Sequence, residues 1–148
     1  MTIKSVAQAI PTYVMGIFKV PAALSEDLTK LVRDFWWGVE HGKRKAQWIG
    51  WPKLIRTKHE GGLGFRDMRI FNQALLARQA WRLLQFPKRL RARTLKAKYY
   101  PNDSLIDIVF TGNPSSTWTA ISFGLELLER GIVWRVGDGK QIHIYLAR

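Results

Sequence analysis

The chain has 148 residues, with 24 Lys and Arg against 11 Asp and Glu, a formal net charge of +13 and 47% hydrophobic residues. That length can bury a core as one domain or a domain plus an appendage, and the charge argues for a polyanionic partner, nucleic acid ahead of an acidic membrane surface. The lack of cysteine excludes disulfides and Cys-ligated zinc or iron–sulfur sites, and no run of about 18 apolar residues escapes a charge or a proline, which excludes a membrane-spanning helix.

Residues 2–10 read as a first helix, with Ile3, Val6, Ala7 and Ile10 on one side. Gln8, Pro11 and Thr12 interrupt the apolar run, so an amphipathic helix is preferred to a signal peptide. Pro11 opens a short second helical piece in PTYVMGIFKV. A third helix begins after Pro21 and stops at Gly38. Its apolar face is Leu24, Leu28, Leu31, Val32, Phe35 and Trp36. VEHGKRKA is then a polar basic loop, and a short helical turn starts at Pro52.

GGLGFRD, Gly61 to Asp67, leads into the strongest helical pattern in the chain. Ile70, Ala74, Ala77, Trp81 and Leu84 form its stripe, Phe71 and Leu75 widen it, Asp67 is the N-cap, and Pro87 stops it. RLRARTLKAKYY is a second helix with a dense basic face, ended by Pro101 and Asn102. Residues 102–116 fit either a strand or a loop. Trp118, Ile121, Leu125 and Leu128 mark a last helix with Gly131 as its cap. IVWRVGDGKQIHIY alternates around an Asp-Gly turn, the pattern of a β-hairpin.

A glycine-rich turn before a helix can cradle phosphate. Here no Gly-Lys-Ser/Thr follows Gly64 and no buried strand precedes Gly61, so a turn built on positive φ is the better reading. His41, His59 and His143 are far apart and lack partners at metal-ligand spacing. Asp27 with Asp34, and Glu126 with Glu129, sit at helical spacing on polar faces, where solvated charge is the usual role. No aspartate pair of the two-metal type and no nucleophile motif is visible, so no catalytic residue, metal or cofactor is expected.

The basic residues are the positive signal. Arg89, Arg93 and Lys96 share a helical face, Arg91 and Lys98 flank it, and Lys88 precedes it. Lys43, Arg44 and Lys45 form a second group. With few acids to neutralise them, contact with a phosphate backbone is favoured over a merely solvated face. Phe35, Trp36, Trp81 and Trp118 fall on apolar stripes and are expected in the core, while Trp37, Trp48 and Trp51 are undetermined.

IKSVAQAIPTYVMGIFKVP, FWWG, WIGWPKLIRTKHEGGLGFRDMRIFNQALLARQAWRLL, LKAKYYPN, PSSTWTAI and WRVGDGKQIHI follow one another in that order. Together they resemble the polyprotein of plant non-LTR (LINE-type) retrotransposons, nearly end to end. The resemblance implies a mainly α fold: a helical thumb and connection bundle with a small C-terminal β-hairpin. Residues 1–58 would be thumb-like and 59–101 a helical connection with the basic helix. Residues 102–148 would carry a helix and hairpin leading toward a zinc-binding and ribonuclease H region. The polymerase aspartates of that family lie upstream of this region, so none carries over to a position here. Family members continue past the hairpin into IW-x-D-x-W, whereas here Tyr145 takes the tryptophan place and LAR follows. Met1 falls inside the thumb pattern, and both ends read as cuts.

The implied role is noncatalytic: holding template–primer nucleic acid behind the polymerase site. The intracellular compartment, nucleus or cytoplasm, is left open by the sequence. The remainder of the reverse transcriptase would be the protein partner, with no membrane partner. The alternative is a structural or interaction module, or a relic, without nucleic-acid binding.

Overall fold

A computed structural model describes residues 9, 11–40, 43–44, 47–108 and 112–133. Among these, six α-helices are α1 (Thr12–Met15), α2 (Ala22–Trp37), α3 (Trp51–Ile55), α4 (Met68–Gln85), α5 (Leu90–Tyr99) and α6 (Ser116–Gly131). A two-stranded pair, β1 (Val39–Glu40) and β2 (Lys43–Arg44), follows α2, and a 3-10 turn covers Lys58–Glu60. The architecture is therefore mainly α, as the sequence implies. The first helix over residues 2–10 and the C-terminal hairpin lie outside the described residues, apart from Ala9, Ile132 and Val133.

α4 is the spine, and two apolar clusters sit along it. Its N-terminal half joins Met15, Val32, Leu54 and Phe65 through Met68. Trp51 and Trp36 pack on the Phe65 ring, each with ring centroids 5.1 Å away. Its C-terminal half joins Ala92, Tyr99, Tyr100, Leu105, Trp118, Ile121 and Leu125 through Ala80 and Leu83. Trp118 stacks flat on Tyr99 at 4.3 Å.

The buried face of α4 is Met68, Asn72, Leu76, Ala77, Ala80 and Leu83. This is not the stripe the periodicity selects. Ile70 is 64% exposed and Trp81 is also exposed, so the helix is turned by roughly a third of a revolution. The cause is the approach of α6. A Cβ on Gly124 would lie 2.4 Å from the Leu76 carbonyl carbon and 2.5 Å from the Ala77 nitrogen. Backbones that close leave little room between them, and Ala77, Ala80 and Ala120 are all buried on the two helices. Gln73 adds a polar tie, its amide donating to the Phe123 carbonyl at 3.0 Å.

Asn72 sits on the same inward face and is fully buried. Its amide donates to the carbonyls of Met15 (2.6 Å) and Phe18 (3.0 Å), and its carbonyl accepts from the Val20 amide (3.0 Å). One side chain thus satisfies three backbone groups left open where α1 ends, and it fixes residues 15–20 on α4.

On α2 only part of the expected apolar face turns inward. Val32 is buried and Leu28 packs against the first cluster, but Leu31 is 65% and Phe35 63% exposed, with Leu24 also outside. Phe35, Trp36 and Trp81 are therefore not core residues, whereas Trp118 is. Trp37 and Trp51 pack on the first cluster, and Trp48 is exposed. The α2 terminus agrees with expectation: Gly38, at φ 77°, donates its amide to the Asp34 carbonyl. The α6 stripe also agrees, with Trp118, Ile121 and Leu125 buried and Leu128 packed against them. Gly131, however, is the last helical residue and Ile132 the cap.

Candidate nucleic-acid interface

The glycine turn is settled by its hydrogen bonds. The amides of Gly61, Gly62, Leu63, Gly64 and Phe65 all donate to carbonyls of the chain, those of Lys58, Thr57, Leu54, Arg56 and Leu54 in turn. Gly61 (φ 76°) and Gly64 (φ 63°) are left-handed, and a Cβ on Gly62 would lie 2.0 Å from the Arg56 oxygen. The first amides of α4 are occupied too, because Asp67 accepts from Arg69 (2.9 Å) and Ile70 (3.1 Å). With its donors internal and a carboxylate already at the helix start, the turn has nothing to offer a phosphate.

α5 carries the basic run. Pro87 and Lys88 form the turn after α4, Arg89 is the N-cap, and the helix contains Arg91, Arg93, Lys96 and Lys98. All six cations are exposed, and among the described residues none is in an ion pair. The apolar contact of the helix with the body runs along Ala92, Leu95 and Tyr99. At 100° per residue this buried strip divides the cations into two rows. Arg89, Arg93 and Lys96 lie on one flank, and Arg91 and Lys98 on the other. The single dense face expected from the sequence is thus two flanks, separated on the solvent side by Leu90, Thr94 and Ala97, all exposed.

Neighbouring groups hold some of these cations in place. The Arg91 guanidinium donates to Gln79 of α4 at 3.2 Å. The Arg89 guanidinium lies 4.5 Å from the Phe86 ring centroid, and the Lys98 ammonium 5.2 Å from that of Tyr99. The Gln79 contact brings α4 beside the Arg91 flank, where Arg78 and Arg82 are also exposed. Sequence reasoning missed these two. Their i, i+4 spacing was the available signal, but it was masked by the apolar stripe assigned to that helix.

The C-terminal end of α5 is fastened by Tyr99. Its hydroxyl donates to Ser115 Oγ (2.7 Å) and accepts from the Ser115 amide (3.3 Å), and Ser115 in turn caps α6. Ser115, whose hydroxyl can reverse to donate to a phenolate, lowers the Tyr99 pKa below 10.0 against the opposing effect of burial. Tyr100 is pushed above 10.0 by burial.

Of the second basic group, Lys43 and Arg44 form β2, with Val39 opposite Arg44 and Glu40 opposite Lys43. Within the expected loop, the described residues form a short antiparallel pair. Lys45 lies outside the described residues.

Elsewhere, an open cleft of about 330 Å³ along α6 brings Glu126 and Glu129 near Lys19, over a floor that includes Leu105 and Trp118. Both glutamates are exposed. Among the described residues no three His, Asp or Glu side chains gather as a metal site. Nor is any helix long and apolar enough to cross a membrane.

An uncharacterized mitochondrial protein of Arabidopsis thaliana is 40% identical over 141 residues, covering 95% of this chain and 92% of that protein. The chain belongs to the family of that mitochondrial protein. A second Arabidopsis thaliana protein, named "Putative ribonuclease H protein", is 34% identical over 148 residues. That match takes in 98% of this chain but only 24% of the longer protein. The family's sequence thus recurs both at about this length and as a segment of a much longer polypeptide. No protein-family model and no solved structure matches the chain.

Proposed function

We propose that this chain is a noncatalytic nucleic-acid-binding segment derived from a LINE-type retrotransposon polyprotein, corresponding to the thumb and connection of its reverse transcriptase. The observation that carries the binding role is the set of six exposed cations on and before α5, none in an ion pair among the described residues. Such an array releases counterions from a phosphate backbone on binding. The similarity to part of a longer protein named for ribonuclease H supports the polyprotein origin, since the resembled region lies ahead of such a domain. The partners are a nucleic-acid backbone and, where present, the remainder of that polyprotein.

The test is a fluorescence-anisotropy titration across a salt series. Affinity falls steeply with salt, and reversal of Arg89 and Arg93 to Glu weakens binding and flattens the salt dependence. Absence of binding at low salt, or an affinity indifferent to both salt and reversal, refutes the reading. A second reading, an interaction module without nucleic acid, is favoured by the outward apolar residues Leu24, Leu31 and Phe35 of α2. It predicts that the Glu reversals leave nucleic-acid affinity unchanged.

A further inference from the structure

α5 packs on the body along one apolar strip and is tied on one flank by the Arg91–Gln79 hydrogen bond, while its opposite side, Leu90, Thr94 and Ala97, is exposed. On one flank stand Arg93 and Lys96, on the other Arg91 and Lys98. The two flanks are roughly 160° apart around the axis. A single phosphate backbone can follow one such row but cannot lie along both. Two backbones on either side of a groove can. A helix with its side chains is about 10–12 Å across, and the major groove of B-form DNA is about 12 Å wide. The A-form major groove is too narrow to admit one.

The ridge between the rows has its own character. Leu90 is 79% exposed, and Ala97 has no polar side-chain atom. The Thr94 hydroxyl donates to the Leu90 carbonyl at 2.9 Å. Nothing on this line offers the bidentate amide or guanidinium that reads a base edge. Contact through it is apolar and engages no hydrogen-bonding base edge, while the flanking cations supply the affinity.

We propose that α5 enters the major groove of duplex DNA, gripping both strands through its two cationic rows and making no hydrogen-bond readout of the bases through the ridge between them. This rests on the nucleic-acid reading above and specifies the ligand: B-form duplex, in preference to single strands or A-form RNA duplex. The probes are a DNA duplex of about two helical turns, one of its strands alone, an RNA duplex of the same sequence and a DNA duplex of scrambled sequence. Each is titrated against the wild-type chain and two double variants, Arg93→Glu with Lys96→Glu and Arg91→Glu with Lys98→Glu.

The expected result is duplex DNA bound at least about tenfold more tightly than the single strand or the RNA duplex, with no preference between the two DNA sequences. Each double variant reduces the salt slope for duplex DNA by about 2, at about 0.9 per phosphate lost. All four positions are exposed, and an unchanged unfolding midpoint verifies that each variant is folded. Neutral Gln replacements at the same sites repeat the measurement if a Glu variant is not. Single strand or RNA duplex bound as well as duplex DNA, or one row alone carrying the slope, overturns the groove grip while the nucleic-acid reading stands. No binding to any probe overturns both.

Discussion

Asn72→Ala tests how residues 15–20 are attached to α4. Asn72 makes three hydrogen bonds, to Met15, Phe18 and Val20, and all end on backbone groups of one short stretch. Removing the side chain leaves two carbonyls and one amide without their partner. A typical bond contributes about 1 kcal/mol net, and a buried group left unpaired costs about 1–3 kcal/mol. The Met15 bond is fully buried, whereas the Phe18 and Val20 bonds are partly so and can recruit water. The sum is about 3 kcal/mol, equivalent to roughly 6–12 °C in melting temperature for a chain of this size. Asn72→Asp exceeds it, because a carboxylate keeps the acceptor for Val20 but turns negative charge on two carbonyl oxygens. The assay is urea unfolding at neutral pH, with the slope checked for constancy. Amide hydrogen exchange then locates the damage. Protection falls over residues 12–20, while α6, to which none of these hydrogen bonds runs, keeps its own. A loss below about 1 kcal/mol, or an equal rise in exchange along α6, refutes the account of Asn72 as a local staple.

Gly124→Ala places a methyl group against the Leu76 and Ala77 backbone, and it costs at least about 1–3 kcal/mol in urea unfolding because the obstacle is backbone. In the glycine turn, Gly62→Ala meets the Arg56 oxygen and destabilises by more than about 2 kcal/mol. Gly61→Asn has open space at a left-handed φ and stays within about 1 kcal/mol of wild type, since asparagine tolerates that region. Tyr100, pushed above 10.0, contributes stability that is full below pH 10 and lost as pH rises beyond it. Tyr99, held below 10.0, acts oppositely and gains as pH climbs toward 10. Unfolding midpoints between pH 9 and 10.5 therefore decline less in Tyr100→Phe than in wild type, and more in Tyr99→Phe. The reverse order refutes the assignment.

Most helices of this fold are legible in the sequence because their ends carry local chemistry. Asp67 accepts two first-turn amides, Gly38 takes the positive φ that stops α2, and Pro52 starts α3. These are short-range choices, and the sequence states them at the residues concerned. The basic run of α5 is legible for the same reason, since nothing nearby neutralises it. Its division into two rows is not, because that depends on which strip meets the body, and Ala92 and Tyr99 give no apolar periodicity strong enough to identify it.

The error on α4 has a physical cause. Apolar periodicity weighs side chains by size, so Ile70 and Trp81 outrank Asn72, Ala77 and Ala80. Burial depends instead on how near the neighbouring backbone comes, and α6 approaches α4 where Gly124 lacks a side chain. At that approach Ile70 and Trp81 are turned outward, and the face that packs is Asn72, Leu76, Ala77, Ala80 and Leu83. The one polar residue on that face is then placed to serve the carbonyls left open at the end of α1. Asn72 and Gly124 are consequently two parts of one arrangement: α6 meets α4 at Leu76 and Ala77, and the orientation this sets also carries Asn72 to residues 15–20. A substitution at Gly124 that rotates α4 toward its apolar stripe therefore also weakens the attachment of α1, even though its close approach is to Leu76 and Ala77. Raised amide exchange over residues 12–20 in Gly124→Ala, with Asn72 intact, is the observation this coupling requires.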